Sequence, residues 1–226
     1  GLFNQDCGAV CASQAVAGTY YACGSSSCAS AAVPLSAQVA NPVAAFATDN
    51  NGVVLSMPGV PADGAARLTG TLTFGIDTRA NNGVGTATVY AASSSGYFTT
   101  VYNGATLASS FIDSGSNGLF FSSATLPGCS LYSGFSGFYC PSSPVAISAT
   151  NRAASGSASG IVNLTVVNPT ALDASVRAAV IAGPLSRRRG HATSFDWGMP
   201  FFFGRSVFVA IEGAATAHGT GPYWAY

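Results

Sequence analysis

Apolar and polar positions alternate in short blocks along this chain, and Gly, Asn, Ser and Pro separate the blocks. After the turn signal Asn50-Asn51-Gly52, residues 53–57 predict a strand that Pro58 ends. Residues 67–75 alternate Leu68, Thr69, Leu72, Thr73 and Phe74 around Gly70, which predicts a half-buried strand with a bulge at the glycine. Residues 96–102 and 106–112 flank Asn103-Gly104, the pair best suited to a two-residue hairpin turn. Strands are predicted again over 145–149 and 161–167, with a Ser/Gly/Ala turn over 152–160 between them. A dense apolar run over 195–204 is closed by Gly204, and 206–212 predicts a final buried strand. Helical signals are sparse. A short helical turn passing into a strand is expected at 44–48, and one full helix over 174–182, introduced by Asp173 and ended by Gly183-Pro184. Residues 1–32 have no period of either kind and predict an irregular loop. Short strands with many turns and one or two short helices predict an all-β sandwich or barrel.

Length and charge narrow the choice. With 226 residues there is ample chain for a buried core, and no repeat or linker divides it into equal domains. Charged residues make up only 7%, against roughly 25% in an ordinary domain. All eight basic residues are arginines and the net charge is zero, so the electrostatic basis of nucleic-acid binding is missing and nucleic acid is excluded as a partner. The most apolar stretch, 199–211, is broken by Gly204 and Arg205 and is shorter than the roughly 20 residues a membrane span needs, so no span is expected. The chain starts on Gly1 without a charged and apolar leader, the pattern of a mature product or a fragment.

Six cysteines fall into close pairs, Cys7/Cys11, Cys23/Cys28 and Cys129/Cys140, with neither His191 nor His218 at zinc-ligand spacing. Disulfides in an oxidising compartment are expected, not a metal, and this places the protein outside the cell, at its surface or in the periplasm. Cys23–Cys28 and Cys129–Cys140 are expected as local staples. The first four cysteines also allow a nested arrangement, Cys7 with Cys28 and Cys11 with Cys23.

The candidate chemistry centres on Phe111-Ile112-Asp113-Ser114-Gly115-Ser116, continued by Asn117-Gly118-Leu119-Phe120-Phe121. Here an apolar strand delivers one carboxylate into a tight, hydroxyl-rich turn, with a second apolar strand behind it. Such a setting buries the surroundings of the acid and leaves its oxygens facing hydroxyls and backbone amides. Asp77 and Asp196 read as turn and strand-end acids, Phe201 to Phe203 as core, and the Arg187-Arg188-Arg189-Gly190 run and both histidines as solvated loop. Asn163-Leu164-Thr165 fits a glycosylation acceptor but lies inside a predicted strand.

Four stretches in order resemble the carboxyl-terminal lobe of the pepsin-like aspartic peptidases. Val33-Pro34-Leu35 with Gln38 and Phe46 resembles the passage by which such enzymes leave their first lobe. Gly70-Thr71-Leu72-Thr73-Phe74-Gly75-Ile76-Asp77 resembles the strand that follows. Tyr97-Phe98, the hairpin and Asp113-Ser114-Gly115-Ser116 resemble the strand and catalytic loop, and Phe202-Phe203-Gly204 with Val207-Phe208 resembles the hydrophobic-hydrophobic-Gly segment threading beside that loop. The likeness is greatest to an uncharacterised group of secreted bacterial proteins with pepsin-like motifs. Arg205 and Asn117-Gly118 depart from the usual pepsin-like residues, and no second Asp-Thr/Ser-Gly is present.

The resemblance implies a division at residue 32, with 1–32 finishing a preceding lobe and 33–226 forming the carboxyl-terminal lobe of a longer precursor. It implies catalysis by Asp113, with Ser114 and Ser116 hydrogen-bonding the loop and the acid and Gly115 allowing close backbone approach. No metal or other cofactor enters such chemistry. Two carboxylates about 3 Å apart share one proton, so the partner aspartate is expected from an amino-terminal lobe or fragment of the same precursor, or from a second copy. The substrate implied is a peptide or protein. Low charge, absent lysine and stapled loops also suit a second class, a structural or adhesive extracellular protein on the same scaffold without its chemistry.

Overall fold

A computed structural model of the chain describes residues 1–185 and 193–226. The expectations for Arg187 to Gly190 and for His191 lie outside these described residues.

The amino-terminal region is more regular than its composition predicts. Helix α1 (Gly8–Ser13) forms where no periodicity was visible, because six residues are too few to show one and no side chain caps its start. The Cys7–Cys11 disulfide spans the first turn of this helix. Strands β1 (Tyr21–Cys23) and β2 (Cys28–Ser30) form a hairpin closed by Cys23–Cys28. The third pair is Cys129–Cys140, so all three disulfides are local and the nested arrangement does not occur. The helical turn expected at 44–48 is a 3-10 turn at residues 42–45, and the chain does not pass into a strand until residue 52.

The next strands are β3 (Gly52–Met57), β4 (Thr71–Phe74) and β5 (Val89–Ala91), followed by β6 (Phe98–Tyr102) and β7 (Ala105–Ile112). The last two are the hairpin predicted from Asn103-Gly104, and both turn residues have the positive φ that this turn demands, 47° and 78°. Then come β8 (Leu119–Phe120), β9 (Val145–Arg152), β10 (Ser159–Val166), β11 (Ala182–Gly183) and β12 (Asp196–Trp197). The chain closes with β13 (Arg205–Ala210), β14 (Ala215–Thr216), β15 (Gly219–Thr220) and β16 (Tyr223–Ala225). The protein is mostly β, with 35% of it strand and one short helix.

Seven strands in the order β10-β9-β6-β7-β12-β8-β11 form a nearly closed mixed barrel. A second sheet of five runs β4-β3-β13-β16-β5. The central strand β13 shows why its residues 207–210 are apolar without a break. Val207 and Val209 face the main core with Phe98, Ile112 and Phe201, while Phe208 and Ala210 face a smaller core with Val54, Ile76 and Tyr223. A strand buried on both faces has no polar side to alternate with.

Two expectations fail for reasons of tertiary contact. Residues 174–182 are not helical. Their backbone groups are satisfied from outside, with Ala65 N–H donating to the Ala178 carbonyl at 2.8 Å and Val167 N–H to that of Val180 at 2.9 Å. Burial of Ala179 and Ala182 against the barrel outweighs the helix preference of an alanine-rich segment. Residues 67–75 shorten to β4, at the edge of its sheet, where Leu72 is 56% and Phe74 42% exposed instead of half-buried. Both side chains line a cleft.

Candidate functional site

The loop 113–118 connects β7 to β8, and a strand distant in sequence runs between those two. Strand β12 enters between β7 and β8, parallel to the first and antiparallel to the second. Phe111 N–H donates to the Phe195 carbonyl at 3.1 Å, and Asp113 N–H to the Trp197 carbonyl at 3.0 Å. Met199 N–H then reaches the Ser116 carbonyl at 2.7 Å, and Leu119 N–H the Ile181 carbonyl at 2.9 Å. The loop that bears Asp113 is therefore tied by backbone hydrogen bonds to residues 197–199 and, where it enters β8, to Ile181.

This corrects one sequence assignment. The segment threading beside the loop is Asp196-Trp197-Gly198, not Phe202-Phe203-Gly204. Residues 199–202 form a 3-10 turn just after it, and Phe203 pairs with Met57 instead. Arg205 serves this turn, donating to the Phe201 carbonyl at 2.7 Å and lying 5.0 Å over the Phe201 ring. Burial holds its guanidinium below the usual arginine range.

Gly198 is required by this crossing. Its φ of −67° suits any residue, but a Cβ there would overlap the Gly118 carbonyl oxygen and come within 2.8 Å of that of Ser116. Both obstacles are backbone, so relief means moving the loop. Gly198→Ala is expected to cost about 3 kcal/mol, the upper end of the usual range for overpacking, as a shift in the urea midpoint at constant slope.

Asp113 is half-buried. Its Oδ1 accepts from Gly115 N–H at 2.7 Å, and its Oδ2 lies 2.9 Å from the Ser116 hydroxyl. A Cβ at Gly115 would sit 3.0 Å from Asp113 Oδ1, so the glycine permits the close approach expected of it. Ser116 holds the acid, whereas Ser114 is exposed on the wall of a cleft of about 820 Å³. That cleft runs between the face of β3 and β4 and the end of β7, with Leu55, Phe74, Tyr97, Phe111 and Phe202 beside Asp113.

Asp196 opens the two-residue strand β12, a strand-end acid as expected, but its role was missed: it is 5% exposed, and its Oδ2 lies 2.9 Å from the same Ser116 hydroxyl that holds Asp113. Burial is the main force pushing its carboxyl up to about 7; the charge of Asp113 adds to this, and the Ser116 hydroxyl opposes it. A sequence signal existed. Phe195 and Trp197 flank it, and in a strand they share one face, so the acid must point the other way, into whatever the strand's second face covers. The two rings do stack, 4.1 Å apart. Asp77 is a turn acid as expected, accepting from Val84 N–H at 3.0 Å, with exposed His218 3.4 Å away.

Asn163 and Thr165 lie on the exposed face of β10. All six cysteines are in disulfides, and among the described residues no three His, Cys, Asp or Glu side chains group as metal ligands. Nor is any helix among them long and apolar enough to cross a membrane.

No curated protein and no solved structure gives a significant match to this chain. One family model covers all of it, residues 1–226, and the protein belongs to that family, the proteins of unknown function DUF3443.

Proposed function

We propose that this chain is the carboxyl-terminal lobe of a secreted pepsin-like aspartic endopeptidase, with Asp113 as one of its two working carboxylates. The observation that carries this reading is the setting of Asp113. It lies on the wall of a large apolar cleft, with its oxygens held by the Gly115 amide and the Ser116 hydroxyl. An extended peptide laid in such a cleft meets apolar surface along its length and a single fixed acid at one point.

Hydrolysis needs a second carboxylate facing the same water, so that one acts as base while the other, protonated, donates to the carbonyl oxygen. Asp196 does not fill that place. It lies behind Ser116, and the cleft is not lined by it. The partner aspartate comes from an amino-terminal lobe or fragment of the same precursor, or from a second copy. Residues 1–32 then finish that first lobe. Three local disulfides accord with an oxidising compartment outside the cytoplasm.

The test is cleavage of a mixed peptide library at acid pH by the complete precursor, with and without a pepstatin-like inhibitor. Wild type is expected to cleave, with inhibition, and Asp113→Asn to be slower by about 10³-fold, the scale of a lost acid–base group. Equal rates in the two proteins overturn the assignment of Asp113. Absence of cleavage in both leaves the structural or adhesive reading of the scaffold in its place.

A further inference from the structure

Ser116 has one hydroxyl hydrogen and two carboxylate oxygens at 2.9 Å, Asp113 Oδ2 and Asp196 Oδ2. It can donate to only one of them at a time. If both acids were ionised, the second contact would set a lone pair against an anion. Both contacts become hydrogen bonds once at least one of the acids bears a proton and donates it to the serine oxygen, and a single proton is enough.

We propose that Asp196 is a positioning residue that holds one proton in common with Asp113 through Ser116, so that the Asp196 O–H donates to Ser116 and Ser116 donates to ionised Asp113. The alternative arrangement follows by moving two hydrogens in step. Asp196 gives its proton to the Ser116 oxygen as Ser116 gives its own to Asp113 Oδ2, leaving Asp196 ionised and Asp113 neutral. No charge is gained or lost across the three groups.

Geometry decides which acid keeps the proton at rest. Asp196 Oδ1 is buried and, among the described residues, has no hydrogen-bond partner, so an anion there would be unsolvated at one oxygen. Asp113 is half-buried with a backbone amide on its other oxygen, and tolerates charge better. Its partners in the sheet are apolar, Phe111 on β7 and Phe120 on β8, and among the described residues the one charged group acting on Asp196 is Asp113 of the 113–118 loop. The upward displacement of the Asp196 carboxyl accords with this placement.

The inference rests on the reading above only in taking Asp113 as the working acid, and its test does not depend on cleavage. The full chain, labelled with ¹³C at its aspartate carboxyls, is titrated by NMR between about pH 4 and about pH 9, with Asp113→Asn and Ser116→Ala beside wild type. In wild type the Asp113 resonance is expected to follow the Asp196 transition. In Asp113→Asn the Asp196 midpoint is expected to fall by about one unit, because a like charge across the serine is gone. In Ser116→Ala the Asp113 resonance is expected to follow Asp196 only weakly, through charge alone. An Asp196 midpoint unchanged by Asp113→Asn overturns the proposal, as does an Asp113 response to the Asp196 transition that loss of the serine leaves undiminished. Asp113→Asn alters a half-exposed loop residue, so folding of that variant is not at issue. A failed titration with successful cleavage overturns the shared proton alone, and the reverse outcome overturns the peptidase alone.

Discussion

Trp197→Ala is expected to destabilise the protein by about 4 kcal/mol, the usual scale for emptying a buried indole site. The ring is fully buried, stacks on Phe195 at 4.1 Å and leans on Phe201 at 5.4 Å. Beyond the cavity, its Nε1–H donates to Thr100 Oγ1 at 3.0 Å, and Thr100 in turn donates to Asn151 at 2.7 Å, both deep in the barrel. Trp197→Phe separates the two contributions. It keeps most of the packing and removes the donor, and is expected to cost about 1–2 kcal/mol, the penalty for an unsatisfied buried oxygen. Urea unfolding followed by circular dichroism measures both. The alanine variant is also expected to loosen the 113–118 loop, seen as faster amide exchange at Asp113, because that amide bonds the Trp197 carbonyl. A Trp197→Ala protein as stable as wild type would mean that β12 is not held by its aromatic face.

The second large effect is on the pH dependence of stability, and it runs opposite to the usual one for a carboxylate. Asp196 has its folded carboxyl raised from 3.8 to about 7, so below pH 4 or so both folded and unfolded chains hold its proton and the acid costs nothing. Between there and about pH 7 the unfolded chain sheds the proton and the folded chain keeps it, so stability falls as pH rises. Above that range both are ionised and the full cost is present, of order 4 kcal/mol for a shift of this size. Asp49 and Asp173 act in the other direction, held low by hydrogen bonds to Arg79 and Ser175 respectively. The difference between wild type and Asp196→Asn isolates the one group. The variant is expected to match wild type near pH 4.5 within about 1 kcal/mol and to be the more stable above pH 8 by a large share of that cost. Urea midpoints across that range measure it. Parallel curves for the two proteins would mean that Asp196 ionises as freely folded as unfolded.

Local chemistry made parts of this protein legible before any contact was known. Asn103-Gly104 specifies its hairpin because a two-residue turn needs positive φ at both positions, and those residues supply it without help from the rest of the fold. The same holds for 145–149 and 161–167. Their alternation placed β9 and β10, although the pairing extends each strand into the turn expected between them. Asp113 to Ser116 could be singled out because acid, glycine and serine lie within four positions and interact with each other. All three disulfides are likewise neighbours in sequence, and the close pairs Cys7/Cys11, Cys23/Cys28 and Cys129/Cys140 are those that bond.

What the amino-acid order determined by itself, then, is an all-β chain with its hairpin, its staples and one acid in a hydroxyl-rich bend. The tertiary structure alone decided which strand passes beside that bend. A two-residue strand such as β12 has no period to read, and its partners are some 80 residues away, Ser116 and Asp196 being separated by 80 positions. Other tertiary contacts, those of Ala178 with Ala65 and of Val180 with Val167, took the place of the helix expected at 174–182, while the pairing of β12 with β7 and β8 carried Asp196 into the interior. Burial is a property of the assembled barrel, and it turned what read as a strand-end aspartate into the second acid of the Ser116 site.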